Sequence, residues 1–153
     1  MSIWWSLHLR REAASVPLAR RLLLGTMETA GVDPDISYDL SVALSEACAN
    51  AVEHGGDAVS GSASAAYRVT AYLDGERCRI EVADSGPGFP VRRSRPAAVS
   101  AWSGALPEHG RGLGLIEQLA DHVHFRNRPG RGGAVISFDK ILKWREDALL
   151  KVS

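Results

Sequence analysis

Two alternating runs, Tyr67 to Leu73 and Arg77 to Ala83, flank the dipeptide Asp74-Gly75, and no other feature constrains the fold of this chain as strongly. Alternation sends successive side chains to opposite faces, which is how a half-buried strand reads. Asp-Gly between two such runs predicts a tight hairpin, since both turn residues tolerate positive φ. A chain built on that hairpin needs an antiparallel sheet, and an apolar layer must cover its inner face.

Helices supply the cover. From Pro17, apolar residues recur at helical spacing through Leu18, Leu22, Leu23, Met27 and Ala30, and Gly31 follows as a stop. Asp33-Pro34-Asp35 then provides cap chemistry for a second helix, whose stripe of Leu40, Leu44, Ala47 and Ala51 runs to Gly55-Gly56. Ile3 to Leu9 reads as a first strand, and the Gly-, Ser- and Ala-rich stretch 56–65 as a flexible connection. Ser85 to His109, punctuated by proline and glycine without any period, reads as a long loop of the kind usually kept for function. Gly112 to Ala120 reads as a third helix. His122 to Asn127 and Gly133 to Phe138 form a closing hairpin, and Ile141 to Leu150 a terminal helix. The order predicts one domain over residues 1–153: a two-layer α+β sandwich, its mostly antiparallel sheet carrying helices on one face.

Eighteen Lys plus Arg balance eighteen Asp plus Glu. A general nucleic-acid binder, which needs a basic surface for phosphates, is therefore not expected. Cys48 and Cys78 are too few for a disulfide framework, so a reducing compartment, the cytoplasm, is expected. The N-terminal apolar stretch is too short for a signal peptide, and no run is long enough to span a membrane.

Three segments carry chemistry. Glu46 and Asn50 are four residues apart on the second helix, so their side chains stand roughly 40° apart on one face. The apolar stripe lies roughly 100–160° from Glu46, which sets the pair beside the buried face, where a ligand fits between helix and loop. Asp84-Ser85-Gly86-Pro87-Gly88 ends a strand with an acceptor carboxylate, and Gly86 and Gly88 let a backbone turn sharply and approach a ligand. Gly110-Arg111-Gly112-Leu113-Gly114-Leu115 opens the third helix, whose N–H groups make an anion cradle with Arg111 as the nearest cation. Each segment alone equally fits a solvated helix shoulder, an ordinary turn or a glycine-rich helix start. The glycines lack the Lys-Ser/Thr of a P-loop and do not follow a first strand as a dinucleotide fingerprint would.

In this order and spacing the segments resemble the N, G1 and G2 boxes of the GHKL (Bergerat-fold) ATPase superfamily, and the chain around them resembles its anti-sigma-factor serine kinases, from about Leu7 to Phe138. The resemblance implies ATP as ligand, with Asp84 accepting from the adenine amino group and Gly86 and Gly88 beside the base. Gly110, Gly112, Gly114 and Leu115 would surround the phosphates. It implies Asn50 as the Mg²⁺ ligand, Glu46 as the base for the attacking hydroxyl, and Arg111 against the γ-phosphate. Related kinases often place an arginine just before the first glycine pair of this box, whereas here His109-Gly110 precedes Arg111.

The resemblance further implies a serine/threonine kinase that holds a sigma factor and phosphorylates a small STAS-type anti-anti-sigma protein, with dimerisation as a family expectation. Two rivals stand beside it. One is a nucleotide-responsive anti-sigma scaffold without kinase activity, and the other a module donating phosphate to a histidine protein in trans. Glu46 favours the kinase, since binding alone needs no base. Among the remaining residues, Phe89 reads as core, Arg92, Arg93 and Arg95 as solvated charge, Gly132-Gly133 as turn chemistry, and His54 as a partner for the last carbonyls of its helix.

Overall fold

The computed structural model describes residues 2–54, 66–84, 107–127 and 133–146, with backbone alone at 107–112. The elements run β1 (Ile3–Arg10), α1 (Ser15–Ala30), α2 (Pro34–His54), β2 (Ala66–Leu73), β3 (Arg77–Asp84), α3 (Pro107–Leu119), β4 (His122–Asn127) and β5 (Ala134–Ile141). The strands form one sheet in the order β1-β2-β3-β5-β4, antiparallel at every pairing. This is the expected α+β sandwich.

Strand alternation decides which side the helices cover. Val69, Ala71 and Leu73 of β2 sit opposite Val82, Ile80 and Cys78 of β3, and Ile136 and Phe138 of β5 continue those rows. All are buried, packed beneath Leu23 and Met27 of α1, Leu40, Leu44 and Ala47 of α2, and Leu113 and Ile116 of α3. The apolar stripe expected for α2 is thus the buried one. In α1, however, Leu18 and Leu22 are 52% and 39% exposed. Ala19, Leu23, Met27 and Ala30 face inward instead, packed against α2 and the core of the sheet.

Gly31 ends α1 at φ 94°, with its N–H and that of Val32 bonded to Glu28 and Met27 carbonyls. That left-handed position costs a residue with a Cβ roughly 1–2 kcal/mol. Gly31→Ala should lower the unfolding free energy by about that amount at unchanged denaturant slope; an unmoved urea midpoint would show that the glycine is dispensable. Asp33 caps α2, its Oδ1 accepting from Asp35 N–H at 2.8 Å, ahead of Pro34.

The hairpin forms by another route than expected. Positive φ among the described glycines occurs at Gly31 and Gly133, not at Gly75. The Asp74 carboxylate holds the turn itself, accepting from the Glu76 and Arg77 N–H groups at 2.7 and 2.9 Å, and these bonds lower its pKa. The terminal helix expected from Ile141 is likewise not formed over the described residues. Ile141 still belongs to β5, and Lys143 to Arg145 bond to the α1–α2 connection through a Val32–Trp144 bridge, which occupies the backbone groups a helix would need. Residues 147–153 lie outside the described residues.

Candidate active site

Two neighbours fix the orientation of α2. Arg20 of α1 reaches Ser45 Oγ at 3.3 Å, so that side of the helix faces α1. On another side Asp39 lies 4.0 Å from Lys140 Nζ, which donates to the Leu119 carbonyl at the C-terminus of α3 at 2.7 Å. At about 100° per residue, Glu46 and Asn50 fall within about 20° of Asp39 on the wheel. Asp39, Glu46 and Asn50 therefore form one ridge, half-exposed along its length, on the side of α2 turned to α3.

The ridge runs the length of the sheet. From Asp39 to Asn50 is about 16 Å of helix, and from Lys140 back to Ala134 is about 20 Å of strand. Asn50 thus comes level with the Ala134 end of β5, which is where Asp84 ends β3. An independent contact agrees. Tyr67 is the cross-strand partner of Asp84 and hydrogen-bonds Cys48, two residues before Asn50. Cross-strand partners share a face, so the Asp84 carboxylate points into the helix layer beside this turn of α2.

Asp84 is 6% exposed, and its Oδ1 accepts from the Ala134 N–H at 3.2 Å. A carboxylate offers about four lone-pair directions, so this bond leaves acceptor capacity. Gly133, at φ 115°, delivers that N–H, and no side chain other than glycine makes the turn without strain. Behind the site a buried relay ties three elements together: Tyr67 Oη lies 2.6 Å from Ser15 Oγ, which donates to the Glu12 carbonyl at 2.7 Å. Burial pushes the Cys48 thiol up to about 12, so it is a packing group and not a nucleophile at neutral pH.

α3 completes the arrangement. Its C-terminus meets Lys140, and it packs along α2, so its N-terminus lies at the Asp84 and Asn50 end. The expected start at Gly112 is corrected. The helix opens at Pro107, a residue whose fixed φ and missing N–H suit the first helical position. The unpaired N–H groups are accordingly those of Glu108, His109 and Gly110, while Gly112, Gly114 and Leu115 lie deeper in the helix. A Cβ built on Gly114 would meet nothing within 4 Å, and Leu115 is half-buried. Gly86, Gly88, Phe89, Arg92, Arg93, Arg95 and the Arg111 side chain lie outside the described residues, as does most of the 85–109 loop.

Sequence reasoning missed the supporting residues. Arg11 serves the last carbonyls of α2, its Nε and Nη2 donating to Val52 O at 3.2 and 3.0 Å. His54 lies 2.8 Å from the Glu53 carboxylate. Ser15, Tyr67 and Ala134 carried no local signal, since their roles arise from strand register. Among the described residues no cluster of three His, Cys, Asp or Glu side chains stands ready for a metal, and no helix is long and apolar enough to cross a membrane.

Residues 9–140 match the histidine kinase-like ATPase domain. The chain is 33% identical over 131 residues to the serine-protein kinase RsbW of Bacillus licheniformis, covering 83% of this chain and 78% of that one. It is also 33% identical over 120 residues to the serine-protein kinase RsbW of Bacillus subtilis, covering 75% and 72%. Among solved structures, the RsbU and RsbW domains of Rv1364c from Mycobacterium tuberculosis superpose with a TM-score of 0.63 at 23% identity, covering 91% of this chain but 33% of that longer one. The SiaB-SiaC complex from Pseudomonas aeruginosa gives 0.59 at 16% identity, covering 90% and 89%. These two likenesses are of fold.

Proposed function

The chain belongs to the histidine kinase-like ATPase family, and we propose that it is an ATP-dependent serine/threonine protein kinase that acts as an anti-sigma factor and phosphorylates a small STAS-type anti-anti-sigma protein. The observation that carries the reading is the meeting of the Glu46–Asn50 ridge, the buried Asp84 and the start of α3 at one end of the helix layer, in a chain one-third identical to serine-protein kinases.

The residues fit a magnesium nucleotide. Mg²⁺ takes oxygen ligands and keeps several waters, so one amide oxygen on an accessible ridge, that of Asn50, suits it. The ion supplies neutralisation of charge at the phosphates. Asp84 offers an acceptor to the adenine amino group, the first N–H groups of α3 face an anion, and Arg111 follows one residue later. Glu46, one turn before Asn50, takes the proton of the attacking Ser or Thr hydroxyl as its oxygen bonds to the γ-phosphorus and ADP departs. The product carries about −1.5 to −2 charge where a neutral hydroxyl stood, which breaks an interface built for the hydroxyl.

Purified protein, MgATP and a STAS-type protein should yield phosphoserine or phosphothreonine and a weakened complex, with sigma factor retained in pull-downs. Binding without phosphotransfer would leave the scaffold reading; an acid-labile product would point to histidine. Asn50→Ala should weaken MgATP binding by about tenfold, since it deletes one oxygen ligand at a charged centre. Unchanged calorimetric affinity in that variant would remove the metal assignment.

A further inference from the structure

Asn50 stands on the last turn of its helix, where an α-helix is least secure. In a helix that ends at His54, the last N–H to reach back is that of His54, and it meets the Asn50 carbonyl. The carbonyls of Ala51, Val52, Glu53 and His54 have no donor within the helix, and an end left in that state frays. A side chain that is to hold a cation here needs support from outside α2.

Half-buried Arg11 supplies it. Its Nε lies 3.3 Å from the Ala51 carbonyl and 3.2 Å from that of Val52, and its Nη2 donates to the Val52 carbonyl at 3.0 Å. One guanidinium thus serves the two carbonyls that directly follow Asn50, and its charge sits at the negative end of the helix dipole. The backbone that carries it is itself fixed. Arg10 pairs with Ala66 at the end of β1, and the turn beyond is closed by Glu12 N–H on the Arg10 carbonyl at 2.8 Å and Ser15 N–H on the Glu12 carbonyl at 2.9 Å. On the other flank Tyr67, the cross-strand partner of both Leu9 and Asp84, hydrogen-bonds Cys48. Cys48 lies roughly 160° around the helix from Asn50, so this tie holds α2 from behind.

We propose that Arg11 is a positioning residue for Asn50: by clasping the Ala51 and Val52 carbonyls to the turn between β1 and α1, it holds the Asn50 amide oxygen ready for the magnesium of a bound nucleotide. β1 and β3 belong to one sheet, so the clasp fixes the metal ligand in the same frame as Asp84. The two ends of the nucleotide site are thereby set relative to each other before the nucleotide arrives, which raises affinity by removing an ordering step from binding. The role asks for no contact between Arg11 and the ion. It does ask for the planar fork of an arginine, since a lysine is a point charge that serves one carbonyl at a time. The inference rests on the reading of Asn50 as the Mg²⁺ ligand.

Calorimetry of ATP binding to the full chain, with magnesium and with EDTA, measures the gain in affinity that magnesium brings. Arg11→Met keeps the apolar stem and removes the donors, and should cut that gain by about threefold or more while metal-free affinity stays near wild type. Arg11→Lys should recover part of it, and carries the test with the same signs if thermal melts show Arg11→Met unfolded. In the Asn50→Ala background Arg11→Met should reduce the gain no further, because both act through one ligand. Gly31→Ala, which destabilises the end of α1 away from this turn, should leave the gain intact and so separates positioning from loss of stability. In nucleotide-free protein, amide exchange at Glu53 and His54 should quicken by about threefold or more in Arg11→Met and stay unchanged in Asn50→Ala. Full gain in Arg11→Met where Asn50→Ala has lost it, additive losses in the double variant, an equal loss in Gly31→Ala, or unaltered exchange would each overturn the clasp alone. No magnesium gain in the wild type, or full gain in Asn50→Ala, would overturn it together with the metal reading.

Discussion

Glu46→Gln should slow phosphotransfer by about 10²–10⁴-fold while nucleotide and partner affinities stay near wild type. The glutamine keeps the size and the polar shoulder position of Glu46 but has no basicity, so it fails at one step only. On the free-energy scale the loss is about 3–5 kcal/mol of barrier, comparable to deleting a large core side chain, yet the fold should be untouched because Glu46 is half-exposed on its ridge. Single-turnover transfer from bound ATP to a STAS-type protein is the measurement, with unfolding by urea as the control. Transfer at the wild-type rate would assign Glu46 to solvation of the helix shoulder and remove it as the base.

What the sequence revealed, and what it did not, divides along physical lines. The Glu46 and Asn50 pairing is a local property of a helix, and four-residue spacing suffices to place both on one ridge. The strands on either side of Asp74 were legible for the same reason, since alternation needs no distant partner. Leu18 and Leu22 misled because a helix with leucines on two sides has two candidate stripes, and only packing against α2 and the sheet selects the row through Ala19 and Leu23. The tail from Ile141 has helical propensity, but the Gly31 carbonyl and the Asp33 N–H offer it backbone partners that a single sequence does not announce. Pro107 could have marked the opening of α3; the glycine box drew the expected start to Gly112, five residues too late. The contact of Asp84 with Ala134 is a matter of register between strands fifty residues apart, which no local pattern encodes.

Asp84→Asn is expected to lower adenine-nucleotide affinity by about 10–100-fold and to erase preference for ATP over GTP. A hydrogen bond to a charged acceptor is worth about 1.5–3 kcal/mol, and about 1.4 kcal/mol is tenfold in affinity. Removing the side chain altogether would confuse the result, because Oδ1 also holds the Ala134 N–H at the start of β5. Asparagine keeps an oxygen for that bond and presents an amide nitrogen in place of the second oxygen, setting donor against donor at the adenine amino group. Thermal unfolding of the variant should therefore move much less than nucleotide affinity. Asp84→Ala, by contrast, should lose both, since it leaves the Ala134 N–H buried without its acceptor. The pair separates the two duties of one carboxylate: if Asp84→Asn binds ATP and GTP as the wild type does, the residue joins β3 to β5 and does not read the base.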